Sequence, residues 1–351
     1  MTITEGHGRR LLEMLALAEC DDYEALAAST ADASLDDLEA AIAPEMPGKV
    51  RRAAIDRLAF IGGPEAFTVL ARIALMDTHF HHQDAVECEK AARRALAFIG
   101  PPIVGQGGDH AVVVQNLFRC LELSYADEAT MTKVVEAVAD CHRLKPEKAM
   151  AVIETEMDRV YAEAGDVKNG NPALTVQVHL GRLPNVAAAI GPEAGVRLLL
   201  EIGRRLITTY GRTRIADQCG GLLDDVVETL GSLGRKSALD ALLHLCDLAA
   251  ESHTYRPRVW QQAIPVLVAK GKERQQRAAW KLIAGMLDVG RPDAVRRDAM
   301  RTARHFGDIG FVCLTDRLRN DGSPEVRKEA AAALREWACV ENGIETEDDE
   351  D

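Results

Sequence analysis

Aromatic side chains are scarce: Phe, Trp and Tyr together make up 4% of the 351 residues. A surface that reads stacked bases draws on such rings, and this chain has few to offer. No run of 18 or more apolar residues occurs, so no segment is expected to cross a bilayer as a helix. The stretch from Met1 to Arg10 leads into residues carrying Glu13 and Glu19, with neither the apolar core nor the small-residue cleavage site of a secretion signal. A cytoplasmic location is therefore expected. The eight cysteines include no Cys-x-x-Cys pair and no regular spacing, which argues against a disulfide framework. Cys88, Cys120, Cys246, Cys313 and Cys339 sit among Ala, Leu and Val, where a thiol acts as a small hydrophobe. Strand signals are almost missing. The one notable β-branched run, Val112-Val113-Val114, leads directly into a helical pattern.

Charge is present but unevenly placed. The net charge is −13, yet residues 1–45 hold 11 acidic side chains against 2 basic ones. Residues 341–351 hold 7 acidic side chains and no basic one, while residues 254–304 carry 12 basic against 4 acidic. Acidic ends thus flank a body that is close to neutral and basic late in the chain, so the overall sign excludes no anionic partner.

What the sequence has in quantity is a repeated turn. Ile61-Gly62-Gly63-Pro64-Glu65 has counterparts at Ile99-Gly100-Pro101, Leu144-Lys145-Pro146-Glu147 and Ile190-Gly191-Pro192-Glu193. Further copies are Leu233-Gly234-Arg235, Lys270-Gly271-Lys272 and Phe306-Gly307-Asp308, so that successive turns lie 36 to 46 residues apart. Glycine takes the left-handed conformation that ends a helix. Proline opens the next helix without losing a hydrogen bond, and an acidic residue beside it complements the helix dipole. The stretch from Pro47 to Asp77 is one such unit: two short amphipathic helices, neither able to bury its apolar face alone. Three first helices share a Val-Arg-basic pattern with Ala following, at Val50-Arg51-Arg52-Ala53, Val295-Arg296-Arg297 with Ala299, and Val326-Arg327-Lys328 with Ala330.

These turns and the Val-Arg pattern resemble the HEAT-repeat superfamily, and the last unit is similar to the HEAT-like repeats also found in phycobilin lyases. The resemblance covers about 290 residues and implies an all-α, right-handed α-solenoid of about seven helical-hairpin repeats. Residues 1–45 are expected to form an acidic helical cap, with helices near Gly8–Cys20, Asp22–Thr30 and Ser34–Ala43, the last capped by Ser34 with Asp37. Residues 46–340 form the array, ending in a helix near Pro324–Val340, and residues 341–351 an acidic tail expected to be disordered. Pro184 and Pro265 should kink or break helices. HEAT-repeat deoxyhypusine hydroxylases bind iron through paired His-Glu motifs, and none of the ten histidines here is followed by Glu. That enzyme is excluded.

Four candidate sites follow. His79, His81, His82 and Asp84 form a dense imidazole–carboxylate cluster that could hold zinc or a similar ion, the alternative being a solvated loop whose histidines cap helix ends. Neither a His-x3-His nor a His-Glu pair supports the metal, and no cofactor is called for. Loops between repeats align along one edge of a solenoid, and that edge would collect Phe80, Tyr125, Lys168, Tyr210, Arg212, Arg214, His253, Tyr255 and Arg256 as a partner-binding surface. A basic segment with Arg258, Trp260, Lys270, Lys272, Arg274, Arg277 and Lys281 could meet phosphates or an acidic protein. Cys219, before Gly220-Gly221 and near two arginines, is the cysteine expected to be exposed and reactive. The first functional expectation is a non-enzymatic scaffold that binds another protein. The alternatives are a lyase-like protein holding a tetrapyrrole, and nucleic-acid binding through residues 254–304.

Overall fold

The computed structural model describes residues 5–20, 22–75, 83–122, 127–166, 172–211 and 219–341. Among them every regular element is helical, as the scarcity of strand signals led one to expect. Three helices open the chain: α1 (Glu5–Glu19), α2 (Tyr23–Thr30) and α3 (Leu35–Ala41). The Ser34 hydroxyl accepts from the Asp37 backbone N–H, and the Ser34 backbone N–H donates to the Asp37 carboxylate at 3.0 Å, the reciprocal cap read from the sequence.

Then come pairs in chain order: α4 (Gly48–Ile61) with α5 (Gly63–Ala74), α6 (Gln83–Gly105) with α7 (His110–Leu121), and α8 (Glu128–Leu144) with α9 (Pro146–Asp166). After a short α10 (Pro172–Leu180), which the turn pattern did not announce, the pairs resume. They are α11 (Leu183–Ile190) and α12 (Pro192–Tyr210), α13 (Gly220–Leu233) and α14 (Lys236–Ala249), α15 (Tyr255–Lys270) and α16 (Glu273–Met286). Finally α17 (Asp293–Ala303) is followed by α18 (Gly307–Asn320), and α19 (Pro324–Glu341) closes the described chain. The chain divides into two compact units, Met1–Asn171 with Val178–Ile190, and Pro172–Gln177 with Gly191–Asp351.

In the first unit α4 packs on α6, α6 on α8 and α8 on α11, while α7 packs on α9. In the second, α13 packs on α15, α15 on α17 and α17 on α19, while α12 packs on α14 and α14 on α16. Alternate helices therefore stack in rows, which is the packing of a helical-repeat array: each pair leaves an apolar face that only the next pair can cover. Leu58, Leu70, Leu96, Leu117 and Val138 are fully buried in the first unit, as are Leu223, Leu245, Leu267 and Ile283 in the second.

Two details differ from the sequence reading. Ile99-Gly100-Pro101 is not a turn: α6 runs through both Pro101 and Pro102 to Gly105, and the reversal falls at Gln106–Asp109, with Asp109 capping α7. Gly100 is needed for closeness instead. A Cβ there would lie 3.1 Å from Val113 Cγ1, 3.3 Å from Leu117 Cδ1 and 3.4 Å from the Phe67 ring. Pro265 also lies within a continuous helix, α15, whereas Pro184 sits just after the break that separates α10 from α11.

Candidate interaction surface

A recurring buried arginine organises the edge where one pair ends and the next begins. Arg51 donates to the carbonyl of Ile42, Arg93 to that of Ala74, and Arg256 to that of Ala250. Arg296 reaches the carbonyls of Val289 and Arg291, and Arg327, half-buried rather than buried, that of Asp321. Each guanidinium satisfies backbone acceptors that a helix end leaves without intrahelical partners. Arg256 is 1% exposed and adds a forked pair of bonds to Asp298 Oδ2 at 2.9 and 2.7 Å. Arg296 likewise meets Asp293 and the buried Asp321.

This corrects the expected loop edge. Tyr210, Tyr255 and Arg256 are buried, so they present nothing to a partner. Tyr255 lies against the Cys219 thiol, and its backbone N–H donates to Ser252 Oγ, which in turn donates to the carbonyl of Gly211 at 2.6 Å. The physical reason is local: short loops here close over apolar residues, and an aromatic body seals them better than solvent does. His253 is exposed. Phe80, Tyr125, Lys168, Arg212 and Arg214 lie outside the described residues, as do His79, His81, His82 and the Asp84 side chain of the expected metal cluster. Among the described residues no group of three or more His, Cys, Asp or Glu is placed to hold an ion. Cys219 is also corrected: it is buried, and burial pushes its thiol up to about 11, the opposite of an activated cysteine.

The basic segment divides. Trp260 is fully buried and its indole N–H donates to the carbonyl of Cys246 at 2.9 Å, so it stacks on no ligand. Arg258 pairs with Asp224 at 2.9 Å. Lys270, Lys272, Arg274, Arg277 and Lys281 are exposed. Arg274 borders a cleft of 430 Å³ between α14 and α16 that is lined also by Asp240, Leu243, His244, Asp247, Ala278 and Leu282.

The opposite edge carries features the sequence reading missed. There the turn within each pair joins the first helix to the second. Phe60, at the end of α4, is 80% exposed, and Phe98, its match in sequence but set within α6 seven residues before that helix ends, is 74% exposed. Ile61 and Leu144 are exposed beside their own turns. The Arg57 guanidinium lies 5.1 Å from the Phe60 ring centroid, within cation–π range. The signal was available in the near-identity of Leu58-Ala59-Phe60-Ile61-Gly62 and Leu96-Ala97-Phe98-Ile99-Gly100.

No protein-family model matches the sequence, and no curated protein matches it. Solved structures similar to this chain include an engineered protein at 15% identity and TM-score 0.28, covering 94% of this chain and 99% of the other. Human deoxyhypusine hydroxylase in complex with glycerol is similar at 18% identity and TM-score 0.28, over 87% of this chain and 96% of that one. Kap121p bound to Pho4p matches at 10% identity and TM-score 0.33, over 94% of this chain and 44% of that one. Among the described residues no helix is long and apolar enough to cross a membrane.

Proposed function

We propose that this chain is a HEAT-like helical-repeat scaffold that binds another protein, and that the partner seats on the exposed apolar positions of its first unit, Phe60 near the end of α4 and Phe98 within α6. The observation that carries the reading is the pair Phe60 and Phe98. Two of only seven phenylalanines stand 38 residues apart at the same repeat position, both mostly in solvent. Burying the two phenyl rings would contribute about 1.5–3 kcal/mol per fully covered ring. Phenylalanine is among the aromatic residues enriched at protein interfaces relative to the rest of the surface. No residue is assigned a catalytic role.

The test is affinity purification from the native cell with the wild-type chain and a Phe60→Ser/Phe98→Ser variant. A specific partner should be recovered with the first and reduced at least tenfold with the second, while helicity by circular dichroism is unchanged. Equal recovery with both chains would refute the proposed surface. A control Val289→Ser, exposed but in the second unit, should leave recovery intact.

A further inference from the structure

The turn edge of the second unit has the opposite character from that of the first. Its turns place Arg235 and Lys236 at the start of α14, and Lys270, Lys272, Arg274 and Arg277 around the start of α16, all exposed. Arg277 is held by Glu273, and Lys270 Nζ donates to the carbonyl of Gly231 at 3.0 Å. Arg235, Lys236, Lys272 and Arg274 meet no carboxylate among the described residues. The acidic groups on this edge are Glu273, Asp240, which already accepts from Gln275, Glu193 in the first turn of α12 and Asp308 in the first turn of α18. Six cations thus stand against four carboxylates, and the six gather at the positive ends of two neighbouring helices, α14 and α16.

The last described helix delivers an acidic segment to this same edge. Arg301 pairs with Glu329 and Arg304 with Glu336, so α17 and α19 run parallel. The Phe311 and Trp337 rings, 4.7 Å apart, put the C-terminal part of α19 beside the start of α18. α19 therefore ends on the edge where α13, α15 and α17 end. Residues 342–351 follow at once, with carboxylates at Glu345, Glu347, Asp348, Asp349, Glu350 and Asp351. Packed helices lie about 8–10 Å apart, so the start of α16 is about 20 Å from the end of α19. Ten extended residues span up to about 33 Å, which is ample.

We infer that the segment 342–351 docks on this basic edge, centred on Lys272 and Arg274, and withholds it from other acidic peptides. The association is electrostatic and weak per contact, but tethering supplies an effective concentration on the order of millimolar. For an intrinsic dissociation constant near 0.1 mM, that would suppress an external acidic peptide roughly tenfold.

The experiment uses the full-length chain and a full-length variant in which the six tail carboxylates are changed to Gln or Asn. The probe is a fluorescent peptide with the sequence of residues 342–351, followed by anisotropy at low and at physiological salt. The peptide should bind the neutralised-tail chain about tenfold more tightly than the wild type, weaken as salt rises, and lose binding when Lys272→Glu/Arg274→Glu is added. Equal binding to both chains would overturn the inference, as would no binding to the neutralised-tail chain. So would binding that survives the double change, or a neutralised-tail chain that gains affinity for heparin but none for the peptide.

Discussion

The two units use one plan and finish it differently. In the first, Phe60, Ile61 and Leu144 are exposed beside the turns and Phe98 is exposed on α6; in the second, the turns expose Arg235, Lys236, Lys270, Lys272 and Arg274. Below that edge the helices stack in the same alternating rows. Buried positions answer to a neighbouring repeat and are held to Leu, Val, Ile and Ala. Turn positions answer to nothing inside the fold, so the chain can spend them on different surfaces at the same register. A repeat array can thus carry an apolar site and a cationic one without changing its core.

Substitutions beneath the surface should damage either unit, and the largest effect is expected at Arg256. Replacing it with Ala strands Asp298 and the Ala250 carbonyl in a site that is 1% exposed, and should cost about 3–5 kcal/mol in urea unfolding followed by helical signal. Its first-unit counterpart Arg51, which meets the Ile42 carbonyl and whose bond involves a neutral acceptor, should cost less, about 1.5–3 kcal/mol. An Arg256→Ala protein as stable as wild type would sink the structural role given to this set.

Gly100 offers a smaller break, confined to the first unit. An added methyl would press on Val113, Leu117 and Phe67, so Gly100→Ala should destabilise by about 1–3 kcal/mol, by overpacking. A neutral or stabilising result would mean that α6 is free to back away from α5 and α7.

Acid should weaken both units through histidines held neutral. Burial is the largest cause that lowers His110 and His142 in the first unit and His305, to about 4, in the second, with Arg304 adding to the last. The unfolded chain takes up protons near 6.5 while the fold does not, so stability is complete above that pH and falls as pH drops toward 4. Asp127 and Glu201, held near 2 by hydrogen bonds and arginines, contribute stability that is lost only at lower pH still. The urea midpoint should therefore be flat from pH 8 to 7 and decline below 6.5. His110→Gln with His142→Gln should flatten part of that decline; a midpoint that rises on acidification would contradict the neutral assignment.

Much of the fold was legible because its signals are local. Gly62, Gly191, Gly234 and Gly307 all have positive φ where the turn pattern placed them, and the Ser34–Asp37 cap and the final helix formed as read. Gly100 misled because a glycine required by a neighbouring helix looks the same in sequence as one required by a turn. The surface was harder to read. Whether Arg256 points outward depends on Asp298, 42 residues further on, and no nearby residue reports that partner. The recurrence of Val-Arg at Arg51 and Arg296 held the clue, since a cation repeated in step with buried Val and Ala is being used inside. Phe60 and Phe98 went unnoticed because a phenylalanine among Leu, Ala and Ile reads as core.

The buried arginines also divide the flanks of each unit into two kinds of terrain. On one flank, guanidiniums are fastened to the backbone of the incoming loop at Ile42, Ala74, Ala250, Val289, Arg291 and Asp321. Adding or removing a residue at those carbonyls would pull an acceptor away from its buried donor. Such a flank resists changes of length and can drift only slowly. On the other flank the matching bonds come from exposed side chains, Arg143 to the carbonyl of Ala189 and Lys270 to that of Gly231, and they join helix ends rather than hold a loop. Its turns already differ in length, from Gly62 alone between α4 and α5 to Gln106–Asp109 between α6 and α7. New binding specificities would accumulate there, while the fastened side keeps the repeats in register.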